Sequence, residues 1–133
     1  MPAEQHWVYF TNEEVKGLVP EFVAKLDMAR KIAGIPFIIT SGLRTPEKNQ
    51  SIIGAVPESS HLKGLAVDLS VSNSHDVSRI IDAARKVGIT RRGIYVNAEN
   101  IPTHIHLDVD LEKPTDVLWV KKEGQAVSPT VTV

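Results

Sequence analysis

Ser59-Ser60-His61-Leu62-Lys63-Gly64-Leu65-Ala66-Val67-Asp68 sets a histidine and an aspartate seven residues apart, with a glycine between them. Helical spacing does not unite such a pair, because helix neighbours lie three and four residues apart. A loop carrying His61, turned at Gly64 and followed by a strand through Asp68, does. Leu65, Val67, Leu69 and Val71 alternate with Ala66, Asp68 and Ser70, the two-residue period of a half-buried strand. Asp68 then faces away from the core-directed Leu65, Val67 and Leu69.

Thr103 to Val109 alternates in the same way. His104, His106 and Asp108 fall on one face and Ile105, Leu107 and Val109 on the other. If the two strands pair, one sheet face gathers two histidines and two aspartates, with His61 arriving from its loop. Two imidazoles and one carboxylate on a metal leave a fourth position for water, the open geometry of catalytic zinc.

Further elements extend from these strands. Thr11-Asn12-Glu13-Glu14 reads as a capping box before a short helix. A longer helix is predicted from Pro20 to Ala33, with Phe22, Leu26, Ala29 and Ala33 at helical spacing and Gly34 as its stop. Pro36 to Thr40 reads as a buried strand, broken by Ser41-Gly42. Thr45-Pro46-Glu47 is a candidate helix start, and Gly54 to Ser60 reads as loop. Ser74 to Val87 is a second amphipathic helix, stopped by Gly88. Gly93 to Val96 and Val117 to Val120 are the remaining strands. The whole chain, 1–133, is expected to form one α+β domain: a small antiparallel sheet flanked by helices, with a polar, mobile tail from about Gln125.

Composition narrows the function classes. The chain has 133 residues, 42% hydrophobic and 23% charged, with a net charge of −1. No basic excess points to nucleic acid. No cysteine is present, so a metal must be held by His, Asp or Glu. No apolar run reaches the ~20 residues of a membrane span, and the start lacks the pattern of a signal peptide. A monomer made in the cytoplasm, with no nucleic-acid or membrane partner, is expected.

The Ser59 to Asp68 stretch resembles the Ser-x-His-x-x-Gly-x-Ala-x-Asp signature of the zinc D-alanyl-D-alanine carboxypeptidase and endopeptidase family. That family shares its fold with the amino-terminal signalling domain of hedgehog proteins. His104-Ile105-His106 resembles the family's His-x-His element, and Ser41-Gly42-Leu43-Arg44-Thr45-Pro46 its Ser-Gly-x-Arg-Thr-Pro segment. The resemblance spans about Phe37 to Val109. It implies the hedgehog/DD-peptidase fold and one Zn2+ held by His61, Asp68 and His106. It also implies a peptidase acting on the stem peptides or cross-links of bacterial peptidoglycan, at the cell wall; the short chain, with no signal and no appended wall-binding domain, suits a phage-associated or released enzyme.

Within that frame Arg44 is a candidate catalytic and substrate-binding residue, clamping a carboxylate or the tetrahedral oxyanion. Ser59 serves either as a substrate hydrogen-bonding group or as a loop cap. Ala66 is small enough to let substrate or metal approach. Many family members carry an acid three residues before the last ligand, where this chain has Thr103. His104 is therefore the favoured base or oxyanion stabiliser. Asp108 is the alternative, or else an orienting carboxylate, and Glu99 is more distant. His6 and His75 are expected at the surface. The missing acid keeps a second reading open: a non-catalytic, hedgehog-like zinc module that works through protein partners.

Overall fold

A computed structural model describes residues 7–42 and 60–123. Arg44, Ser59, His6, the helix start at Thr45 and the tail lie outside the described residues. The described order is α1 (Pro20–Ala33), β1 (Ile39–Ser41), a 3-10 turn (Ser60–Lys63), β2 (Ala66–Ser70), α2 (Ser74–Lys86), β3 (Arg91–Val96), β4 (Pro102–Asp108) and β5 (Val117–Lys122).

Both long helices begin and end where local chemistry places them. Pro20 opens α1, and Gly34 closes it in the left-handed conformation (φ 70°), its N–H donating to the Arg30 carbonyl. Asn73 caps α2 by accepting from the Asp76 N–H at 2.8 Å. The capping box also forms: Thr11 N–H donates to the Glu14 carboxylate at 2.9 Å, and Glu14 N–H donates to Thr11 Oγ1 at 3.2 Å. No helix follows it. Residues 12–17 are turns held by bonds such as Leu18 N–H to the Val15 carbonyl. Gly17, at φ 82°, breaks the chain there.

The strands form one sheet in the order β1-β2-β4-β3-β5. The first three pairings are antiparallel, as expected, but β5 runs parallel to β3. The reason is spatial. β3 lies between β4 and β5; β5 returns from the end of β4, antiparallel to it, and so runs parallel to the intervening β3. The expected buried strand at residues 36–40 is shorter and shifted, to Ile39–Ser41 at the sheet edge, with Ile38 exposed. Pro36 has no N–H to give a ladder, which suits an edge and not a centre.

The two helices pack against each other, and α2 also meets β3 and β4. Val67, Leu69, Ile105 and Leu107 are fully buried in one core with Phe22, Leu26, Ala29 and Ile80. The alternate residues of β2 and β4 point to the opposite sheet face. No helix among the described residues is long and apolar enough to cross a membrane.

Candidate metal centre

β2 and β4 pair so that Asp68 stands directly opposite His106 and Ser70 opposite His104. The expected clustering on one sheet face therefore forms. His61 joins it from the 3-10 turn, where it is buried. The turn back into β2 is made by Gly64 at φ 71°, and a Cβ there would lie 2.5 Å from the Gly17 carbonyl oxygen. Backbone meets backbone at that point, since Val19 N–H donates to the Gly64 carbonyl at 2.9 Å. Only glycine fits both the conformation and the approach.

Ser60, beside His61, is tied down separately. Its hydroxyl donates to the buried Asp110 carboxylate at 2.8 Å, which also takes a bond from Lys63 at 3.0 Å. The 3-10 turn is thus fastened to the chain just beyond β4.

His61, Asp68 and His106 each offer one ligand atom, all within 4.8 Å of one another. Asp68 Oδ1 is 3.4 Å from His61 Nε2 and 3.1 Å from His106 Nδ1. The outer nitrogen of each ring is committed elsewhere. His61 Nδ1 is 2.8 Å from the Gly42 carbonyl, an acceptor that requires an N–H. His106 Nε2 is 2.6 Å from Asp108 Oδ2. Those bonds select the tautomers that turn a lone pair on each inner nitrogen toward the Asp68 carboxylate. Two lone pairs and an anionic oxygen cannot crowd together without a proton or a cation among them, so the donor set fits a divalent metal.

Asp108 is 1% exposed and has three partners. Besides His106 it accepts from Arg91 Nε at 3.2 Å and from the Asp110 N–H at 3.1 Å. Ala66 is fully buried opposite Asp108.

The electrostatics follow from this packing. Burial pushes the Asp68 carboxyl up, but hydrogen bonds with His106 and His61 outweigh it and hold the group well below the usual carboxylate range. Burial likewise depresses His106, yet its bonds with Asp108 and Asp68 leave it raised above its ordinary 6.5. Asp108 is lowered for the same reason: burial opposes, and the His106 bond prevails. A raised histidine stabilises the fold below its unfolded value and loses that contribution as pH climbs through the folded value; lowered aspartates stabilise above about 3.8 and lose it as pH falls. Chelator-treated protein is therefore expected to show its highest Tm between about 3.8 and 6.5, and to lose stability as pH rises from about 6.5 to the raised His106 value. A bound cation replaces the proton and should remove the alkaline loss. An unchanged Tm in chelator from about pH 6 to about pH 9 would contradict this account.

The same face continues over β3 and β5. Gly93 lies opposite His106 and Trp119 opposite Gly93. The indole lies so close over Gly93 that a Cβ there would be 2.5 Å from it. Its ring centroid is 5.6 Å from that of His106, and the Arg91 guanidinium lies over the indole, 5.1 Å from its centroid. His104 is on this face but outside the convergent set, stacked on Tyr95 with centroids 4.3 Å apart. Glu99 sits exposed in the turn after β3, and His75 is exposed at the start of α2. The reading of the residues did not include Glu123, Tyr95, Trp119 or Arg91. The alternation of Arg91, Gly93 and Tyr95 along β3 was the available signal for two of these; the parallel docking of β5, which brings the others, left none.

Comparison with known proteins bears on the fold and the family. No curated protein sequence matches the chain. Among solved structures, the crystal structure of Serratia marcescens L-Ala D-Glu endopeptidase ChiX matches with a TM-score of 0.58 at 19% identity, covering 76% of this chain and 86% of that one. At that identity the likeness is one of fold. A family model described as peptidase M15 matches residues 5–108, a span that takes in His61, both paired strands and the whole His-x-His element. On that match, this chain belongs to the peptidase M15 family.

Proposed function

We propose that the chain is a zinc-dependent peptidase that hydrolyses a peptide bond in the stem peptides or cross-links of bacterial peptidoglycan, acting at the cell wall. The observation that carries this reading is the convergence of one ligand atom each from His61, Asp68 and His106 within 4.8 Å, in a member of a peptidase family. Two imidazole nitrogens and one carboxylate are a donor set that zinc accepts while keeping a position open. Zinc held there supplies a water activated near neutral pH and a polarised scissile carbonyl.

The chain's own residues do the rest. The Gly42 carbonyl holds the His61 ring, and Asp108 holds the His106 ring, each from its outer nitrogen. Asp108 is committed to His106, Arg91 and a backbone N–H, which suits orientation rather than proton transfer. His104, on the same face one step along β4, takes the proton from the attacking water and returns it to the leaving amine. Arg44 and Ser59 engage the substrate.

Support for a cell-wall peptide comes from the endopeptidase activity named for ChiX, whose fold this chain shares, and from the signature residues. Digestion of purified peptidoglycan with zinc-loaded protein, followed by mass spectrometry, tests it. New termini within the stem or cross-bridge are expected, and their position separates endopeptidase from carboxypeptidase action. Zinc-loaded protein that generates no new terminus would contradict the proposal.

A further inference from the structure

The pairing of β3 with β4 passes from Tyr95–His104 to Val96–Pro102, so Thr103 is an extra residue on β4. Such a bulge re-aims the side chains beside it. Thr103 Oγ1 lies 3.4 Å from His104 Nδ1 and donates to Glu123 Oε1. Glu123 follows β5, and its N–H donates to the Val96 carbonyl at 2.8 Å, fixing its backbone at the end of β3. Its Oε1 is 3.3 Å from His104 Nδ1. The His104 ring is thus stacked on Tyr95 at one face and met by a carboxylate at Nδ1.

We propose that Glu123 is a positioning residue: its carboxylate accepts the Nδ1–H of His104, fixing the ring and the tautomer that leaves the Nε2 lone pair for proton transfer. The inference deepens the peptidase reading and rests on the role of His104 in it. Which imidazole nitrogen carries the proton is set by the hydrogen bond the other makes. Asp68 and Asp108, the carboxylates of the proposed metal site, are bound to His61, His106 and Arg91. Asp68 acts on His104 through its charge, whereas the Glu123 carboxylate reaches Nδ1 at 3.3 Å. The Thr103 hydroxyl holds that acid in turn. An ion pair this accessible adds little stability, so its consequence is orientation.

The test uses zinc-loaded full-length protein, with the His104 signals assigned by their absence in His104→Ala. Nitrogen NMR at fixed neutral pH should find His104 as the Nδ1–H tautomer. Glu123→Ala should shift it toward Nε2–H with zinc content and Tm unchanged, and lower kcat roughly 10- to 100-fold with KM unaltered. Glu123→Gln retains an acceptor and should fall between. A wild-type Nε2–H tautomer, or a Glu123→Ala protein with unchanged tautomer and kcat, overturns the assignment. Protein that cleaves no peptide yet shows the tautomer shift supports the Glu123 contact and overturns the peptidase reading instead.

Discussion

His61→Ala protein is expected to fold, to bind no zinc and to release no product from peptidoglycan. His61 supplies one of three convergent ligand atoms, and the described residues near it offer no replacement donor. Its ring is buried and fixed by the 2.8 Å bond to the Gly42 carbonyl. Truncation leaves that carbonyl without its donor, at a cost of about 1–3 kcal/mol, which a domain tolerates. Two ligands remain, too few to hold zinc against dialysis. His75→Ala is the control, because His75 is 72% exposed on α2. Elemental analysis and circular dichroism read both variants. Full zinc retention by His61→Ala removes His61 from the ligand set.

His104→Ala is the second large effect, and it separates chemistry from metal binding. Same-face positions on a strand are ~6.5–7 Å apart. His104 is therefore close enough to reach a group bound between Asp68 and His106 without joining their set. Its ring meets Tyr95 and Glu123. Thr103 places a hydroxyl, not an acid, on the bulge beside it. The variant is expected to keep its zinc and lose roughly 10²–10⁴-fold in kcat, the usual contribution of a positioned acid–base group. Zinc loss would make His104 a ligand, and near-normal turnover would move the proton transfer to another residue.

How much of this was legible in the sequence depends on whether local chemistry decided it. Pro20, Gly34 and the periodic apolar residues of α1 bound a helix over the predicted span, because start, stop and face agree. The alternation in β2 and β4 predicted both strands, and their pairing brings Asp68 and His106 together as expected. What escaped was decided at a distance. The parallel docking of β5 follows from its return beyond β3 after β4, a long-range arrangement, and it carries Trp119 and Glu123 to the site. The bulge at Thr103 exists only in the pairing with β3. The turns after Thr11 show a correct helix-start signal overridden by Gly17 within two turns' length. Arg44 and Ser59 rest on the sequence resemblance.

The anomalous scattering of zinc-loaded crystals at the zinc edge tests the central claim most directly. The account predicts one peak per chain, at about 2.0–2.2 Å from His61 Nε2, an Asp68 oxygen and His106 Nδ1, with His106 Nε2 still bonded to Asp108. A peak at His106 Nε2, a peak elsewhere on the chain, or no peak after zinc loading would contradict it.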